Sequence, residues 1–132
     1  MATVLARSPL TISDLEAAIA ATWMRETSAD PGGWTAENAA WGQCAVTALV
    51  VQDYFGGTLL RGEVGPVSHY WNVLPSSEEI DLTRHQFPDG VAIESVESRT
   101  REYVLSHLDT ARRYRALASA VHRCLGINVP QR

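Results

Sequence analysis

The sequence predicts an α+β domain in which a buried helix that carries a cysteine packs on a small antiparallel sheet. The segment 43–55 is apolar on nearly all sides, which indicates a central helix covered by other elements. Short runs typical of strands follow it, joined by turn residues. Amphipathic segments near both ends of the chain predict flanking helices, and this mixture of segregated helices and strands is an α+β pattern.

The first helix is predicted from a capping signal and an apolar stripe. Ser13 and Glu16 have the spacing of a capping box, and apolar residues recur every three or four positions as far as Trp23. We therefore expect a helix from Ser13 to about Arg25. The turn residues of 30–33 then indicate a loop that continues to the central helix.

The central helix is expected to run from Gln43 to Phe55. The double glycine at 56–57 favours a left-handed C-cap directly after it. Cys44 therefore lies in the first turn, where free backbone N–H groups and the helix dipole favour a negatively charged sulfur.

The next part of the chain is expected to form strands. Strand-like runs cover 58–62, 68–74 and 78–83, and the turn residues 75–77 predict a hairpin between the last two. Residues 91–98 are a further candidate strand. A second long helix should follow, with Asp109 as its N-cap, Gly126 as its end and a buried stripe formed by Tyr114, Leu117, Val121, Cys124 and Leu125.

Composition indicates a single cytoplasmic domain over residues 1–132. Hydrophobic residues make up 45% and charged residues 20% of the chain, and no segment approaches the run of about 18 apolar residues that a membrane span requires. The first residues lack the apolar block of a signal peptide. We therefore expect no membrane association and two reduced cysteines.

Charge is distributed unevenly along the chain. Residues 1–98 hold 13 acids and 4 arginines, a net charge of −9, whereas residues 99–132 hold 2 acids and 7 arginines, a net charge of +5. A basic terminal helix can bind nucleic acid or dock on the protein's own acidic body. Because no aromatic residues alternate with these arginines, we expect no nucleic-acid partner.

Three residues have types and positions suited to thiol catalysis. Cys44 opens a helix, while His69 and Asp81 lie on strands that a hairpin would place side by side. A histidine held by a carboxylate can activate a nearby thiol. The same residues with His85 could instead hold a metal, but compact ligand spacing is absent, so we expect no metal and no cofactor.

The segments WGQCAV, SHYWNVL and IDLTRHQF resemble the catalytic core of transglutaminase-like proteins, within the wider papain-like class of cysteine enzymes. When the whole run from residue 38 to residue 57 is included, the sequence more closely resembles the YunG-like family of bacterial proteins. This resemblance covers residues 38–87. It implies a papain-like or transglutaminase-like core.

The resemblance implies a role for each matching residue. Cys44 would be the nucleophile, His69 the general base and acid, and Asp81 the group that fixes the tautomer of the imidazole. Asn38 and Gln43 are competing candidates for the oxyanion hole, and the alternative for Asn38 is a loop side chain that caps the next helix.

The chain also departs from animal transglutaminases. Ala45 replaces the tryptophan that follows their cysteine, and the gaps of 25 residues from Cys44 to His69 and 12 residues from His69 to Asp81 are much shorter. The calcium-regulated crosslinking activity is therefore not expected here. The chain has no lysine, so its own side chains cannot supply the usual amine acceptor.

Two functions are consistent with this pattern. The first is a thiol-dependent hydrolase or acyltransferase, such as a peptidase, amidase, deamidase or transglutaminase-like enzyme, that acts on a peptide, a protein or a small-molecule amide or ester. The second is a catalytically inactive binding or regulatory domain in which Tyr70 and Trp71 fill the cleft. The sequence leaves the oligomeric state open.

Overall fold

The computed structural model describes residues 9–126. Within them, no helix combines the length and the apolar character needed to cross a membrane. The helices are α1 (Ile12–Thr22), α2 (Cys44–Phe55), α3 (Arg101–Leu105) and α4 (Leu108–Leu125). The strands are β1 (Thr58–Val64), β2 (Val67–Val73), β3 (Glu79–Ile80) and β4 (Glu94–Arg99).

Helix α2 is the centre of the fold, as its apolar sequence predicts. One side packs with α1 and α4 in a core that includes Ile19, Val50 and Leu117. Another side packs on the sheet through a smaller cluster around Leu49 and Leu59. The structure is thus an α+β arrangement in which a buried helix that begins with a cysteine lies on an antiparallel sheet.

The four strands form one antiparallel sheet in the order β3-β2-β1-β4. The pairing of β2 with β3 confirms the predicted hairpin, although β3 is only two residues long. Strand β4 confirms the candidate strand at 91–98 with a start three residues later. A register shift between Arg61 and Glu63 marks an irregularity where β1 pairs with β4.

The predicted start and end of α1 are wrong by a few residues. Thr11 is the N-cap, and its side chain forms the capping box with Asp14, whereas Ser13 lies inside the helix. The Thr11 hydroxyl accepts from the Asp14 backbone at 3.0 Å, and the Asp14 carboxylate accepts from the Thr11 backbone at 3.1 Å. The helix ends at Thr22, and residues 25–27 form a separate short turn.

The C-terminal helix ends at its predicted cap, Gly126, but its start and one residue of its predicted buried stripe differ from the prediction. His107 is the N-cap of α4, and Asp109 lies in the first turn, where its carboxylate binds Arg112 and Arg113. Cys124 is exposed rather than buried. In the last turn Leu125 packs against the core instead, so the apolar stripe continues through Leu125 and not through the thiol.

The glycine after α2 is a C-cap with positive φ, but it is not in the left-handed helical region. Gly56 has φ of 73° and ψ of −153°, and its N–H donates to the Gln52 carbonyl. A positive φ still favours glycine at this position. The chain then turns directly into β1, which starts two residues later.

Candidate active site

The segment that leads into α2 fixes the position of Cys44. Gly42 has φ of 73°, and its carbonyl accepts a hydrogen bond of 2.8 Å from the Ala29 backbone. A Cβ on this glycine would overlap the Ser28 hydroxyl and lie 2.8 Å from the Ala29 nitrogen. Only glycine combines this conformation with so close an approach, so Gly42 lets the chain pack tightly against residues 28–29 just before Cys44.

Gln43 and Asn38, the two candidates for the oxyanion hole, hold the loops around the helix start. Gln43 is completely buried, and its Nε2 donates to the Met24 carbonyl at 3.0 Å. The Nδ2 of Asn38 donates to the Gln86 carbonyl at 3.2 Å. Neither side chain caps α2. Each side-chain amide therefore donates one N–H to a backbone carbonyl and has a second N–H that can donate to another acceptor.

His69 lies on β2 with none of its side chain exposed to solvent. Trp71 stacks on its ring with centroids 5.6 Å apart, and Phe87 meets the ring edge-on at 5.1 Å. Gly62 is directly opposite His69 on β1, and a Cβ there would overlap Ile93 and lie 3.1 Å from the Trp71 ring. The missing side chain at Gly62 thus makes room for the indole beside the imidazole.

Asp81 follows β3 immediately and contacts His69. The Nε2 of His69 and the Oδ2 of Asp81 are 2.6 Å apart, and the other carboxylate oxygen accepts a 3.3 Å hydrogen bond from the Thr83 backbone. The predicted contact between the two side chains is therefore present. The carboxylate occupies Nε2, which leaves Nδ1 as the ring nitrogen free to exchange a proton.

The environment of His69 favours the imidazolium form. Burial by itself would lower its pKa, but the hydrogen bond to Asp81 and the interaction with the Cys44 thiol outweigh burial and raise the pKa to about 9. The sulfur lies 3.7 Å from the Ser68 carbonyl, its nearest hydrogen-bond acceptor.

A side-chain hydrogen bond ties the histidine strand to the cysteine helix. The Nδ2 of Asn72 on β2 donates to the Ala48 carbonyl of α2 at 2.9 Å, and both residues are buried. Because Ala48 lies one helical turn after Cys44 and Asn72 lies three residues after His69, this bond holds β2 against α2 close to both residues. It gives a physical role to the asparagine in the segment SHYWN.

Unpartnered polar atoms are concentrated at this end of α2. Within residues 9–126, four buried side-chain polar atoms lack a hydrogen-bond partner: Gln43 Oε1, His69 Nδ1, Thr83 Oγ1 and Gln86 Nε2. Gln43 precedes Cys44, and His69 contacts Asp81. Thr83 and Gln86 follow Asp81 by two and five positions. Native proteins rarely leave such groups unpaired, and the exceptions are explained by a bound water or ion, by strain or by a catalytic role.

Gln86 is a positioning residue that the sequence pattern does not single out. Its Oε1 accepts a 3.2 Å hydrogen bond from the Gly42 backbone, so the segment after Asp81 holds the segment before Cys44. The side chain is 6% exposed. The only sign of this role in the sequence is that a polar residue directly precedes the apolar Phe87. A contact between residues 44 positions apart cannot be inferred from local periodicity.

His85, the further metal ligand that the sequence offered, has its aromatic contact outside the three predicted site residues. Its ring packs on Trp23 with centroids 5.9 Å apart. In the part of the chain that the structure describes, no group of three or more His, Cys, Asp or Glu side chains is arranged to hold a metal ion. The Cys44 sulfur contacts the residue before His69, and His69 contacts Asp81, so these three residues lie in one region without this histidine.

Comparison with known proteins connects the site to one family. A family model described as YunG protein matches residues 11–126, a range that includes every site residue named above. The chain is also similar to a Bacillus subtilis (strain 168) protein with the name "Uncharacterized protein YunG". The two are 35% identical over 103 residues, which cover 77% of this chain and 84% of the relative. No solved structure matches the chain.

Proposed function

The chain belongs to the YunG family, and we propose that it is a thiol-dependent hydrolase or acyltransferase that acts on an amide or ester. The observation that carries the proposal is the 2.6 Å contact between His69 and Asp81 beside the first residue of a helix, Cys44. A base held by a carboxylate next to a thiol is the arrangement that nucleophilic catalysis by cysteine requires.

The first chemical step is attack by the sulfur of Cys44 on the carbonyl carbon of the substrate. The imidazolium of His69 stabilises the thiolate, and the S–C bond forms as the carbonyl electron pair moves to oxygen. When this intermediate collapses, the bond to the leaving amine or alcohol breaks, and His69 Nδ1 gives its proton to that group. Asp81 keeps the proton on Nε2 throughout.

The second step removes the acyl group from Cys44. Water or an amine attacks the thioester carbon and passes a proton to His69 Nδ1, and the C–S bond breaks to restore the thiolate. Water gives hydrolysis, and an amine gives acyl transfer. The acyl donor in this proposal is a peptide, a protein or a small-molecule amide or ester, and the reaction takes place in the cytoplasm.

The developing oxyanion needs hydrogen-bond donors near the start of α2. We propose the backbone N–H of Cys44, together with the remaining N–H of Asn38 or Gln43. The order of a helix with cysteine, a strand with histidine and a strand with aspartate also supports a papain-like or transglutaminase-like core. Preorganised donors of this kind contribute about 2.7–4 kcal/mol each to transition-state stabilisation.

A binding or regulatory domain without turnover is the second candidate, and the closed site favours it. Cys44 is 8% exposed, and Trp71 and Phe87 cover the imidazole. In this alternative the aromatic side chains fill the space that a substrate would occupy. The two candidates differ in whether Cys44 forms a covalent acyl intermediate.

The test is a broad screen of amide and ester acyl donors with hydroxylamine as an added acceptor. The wild type should form hydroxamates, and Cys44→Ala should form none above background, because the thioester cannot form. Cys124→Ser is the matched control and should retain full turnover, since Cys124 is exposed on α4 away from the core. A wild type no more active than Cys44→Ala would favour the binding domain.

A further inference from the structure

Arg61 is linked to the candidate nucleophile, Cys44, through one shared neighbour, Ser68. It is directly opposite Tyr70 in the pairing of β1 with β2, so both side chains lie on the same face of the sheet. Its Nη2 donates a 2.5 Å hydrogen bond to the Ser68 hydroxyl. The carbonyl of the same serine is the group that the Cys44 sulfur contacts at 3.7 Å.

Arg61 differs in its partners from the other half-buried or buried arginines. Within residues 9–126, Arg99, Arg101 and Arg113 each form an ion pair with a carboxylate at 2.6–2.8 Å. Arg61 is also partly buried, but no carboxylate lies within ion-pair distance of it in this range. Its cross-strand neighbour Glu97 binds Arg99 instead, at 2.8 Å.

A partly desolvated guanidinium is suited to bind an anion. It carries five N–H donors in a planar fork that matches the two oxygens of a carboxylate, and the serine uses one of them. The side chain cannot lose its charge by deprotonation, so a bound anion would compensate that charge when a substrate covers the site. Arg61 therefore has N–H donors that no carboxylate of residues 9–126 pairs, and its partner Ser68 also contacts the thiol.

Tyr70 supplies a neutral donor near the same point. Burial raises the pKa of its hydroxyl, while the positive charges of Arg61 and Arg99 act in the opposite direction and Cys44 adds to the rise. The cross-strand pairing places Tyr70 directly beside Arg61 on the same face of the sheet. The hydroxyl keeps its proton near neutral pH and can donate a hydrogen bond to an anion beside Arg61.

We propose that Arg61 binds a carboxylate of the acyl donor, so that the preferred substrates carry a carboxylate within about one residue's length of the reacting carbonyl. This inference rests on the proposed function of Cys44 and adds a substrate class to it. Tyr70 assists as a second donor, and the planar fork favours a carboxylate over a neutral amide at the same position.

Two alkylating reagents that differ only in charge provide the probe. With iodoacetate and with iodoacetamide, the Cys44 sulfur displaces iodide, so a C–S bond forms as the C–I bond breaks. Iodoacetate carries a carboxylate next to the reacting carbon, and iodoacetamide carries a neutral amide. The ratio of their second-order rates, measured in a Cys124→Ser background at low salt, reports how strongly the site prefers the carboxylate.

Arg61→Gln should lower the iodoacetate-to-iodoacetamide rate ratio about fivefold, the size expected for one partly exposed charge pair. Arg112→Gln is the matched control, since it removes the same charge from an exposed position on α4 and should leave the ratio unchanged. Arg61→Lys keeps the charge and should restore part of the preference. In the unmodified site the ratio should also fall as salt is added.

The possible outcomes separate this inference from the proposed function. A ratio that Arg61→Gln leaves unchanged, with rapid alkylation by both reagents, would overturn the role of Arg61 and leave the nucleophile intact. If Arg61→Gln does not fold, a ratio in the wild-type site that is insensitive to salt would overturn it equally. If neither reagent modifies Cys44, both proposals are contradicted, and modification by iodoacetamide alone would contradict only the role of Arg61.

Discussion

The two ends of α2 carry polar clusters of opposite character. At the C-terminal end, Arg101 binds Asp53 at 2.6 Å and Gln52 at 2.9 Å, while the Tyr114 hydroxyl lies 2.7 Å from Arg101 and 2.6 Å from Asp53. No side chain of this cluster is among the four with an unpartnered buried atom in the described residues. At the N-terminal end, around Cys44, all four of those atoms occur.

This difference suits the C-terminal cluster to stabilising the fold and the N-terminal cluster to a chemical role. In the C-terminal cluster the two terminal nitrogens of Arg101 and the Tyr114 hydroxyl all meet acceptors, and the network joins α2 to α3 and α4. The N-terminal end also joins elements, through Asn72 and Gln86, but it retains a free imidazole nitrogen and a thiol. A protein tolerates unmet hydrogen-bonding capacity where a ligand or a reaction can use it.

The largest expected effect comes from making the same substitution at each end. Asp81→Asn should remain folded but lower turnover about a thousandfold or more, because the amide no longer holds the tautomer of His69 or stabilises its charge. Asp53→Asn should leave turnover near that of the wild type and lower the free energy of unfolding by about 1–2 kcal/mol through the weakened pairing with Arg101.

Hydroxamate formation and denaturant unfolding of the two variants provide the comparison. A similar loss of turnover in both would show that the carboxylates act only through stability. Unchanged turnover in Asp81→Asn would remove the carboxylate from the proposed mechanism.

A smaller effect is expected in the pH dependence of stability. The folded pKa of His69, about 9, lies above its usual value near 6.5, so the native state binds the proton more tightly than the unfolded state. The stabilisation is fully present below about pH 6.5 and is lost as the pH rises through 9. Its size is about 3 kcal/mol at most.

Denaturant unfolding between pH 6 and pH 10 should therefore show a fall in the free energy of unfolding for the wild type. The fall should be much smaller in Asp81→Asn, since that variant lacks the negative partner that raises the pKa of His69. Parallel curves for the two proteins would contradict the pairing. The pH dependence of Asp53→Asn should follow that of the wild type.

Local patterns predicted the order of most elements and the three central site residues. The apolar run of α2, the hairpin that follows it and the amphipathic α4 are each encoded in consecutive residues. The contact of His69 with Asp81 could also be predicted from the sequence, because a short hairpin fixes which residues face each other.

The remaining features depend on contacts between distant segments. Thr11 rather than Ser13 caps α1, although both choices satisfy a capping pattern, and Cys124 is exposed because Leu125 fills the last core position. The bond from Gly42 to Gln86 joins two loops with no periodic signal. The ion pairs of the other arginines, which distinguish Arg61, likewise exist only in the folded chain.

The most direct test of the central claim is the rate at which iodoacetamide alkylates Cys44 at pH 6 in the Cys124→Ser protein. We predict a rate above that of free cysteine, because the imidazolium of His69 and the start of α2 stabilise the thiolate. The variant His69→Ala should lose this advantage. A wild-type rate no faster than that of free cysteine, or one unchanged by His69→Ala, would contradict the central claim.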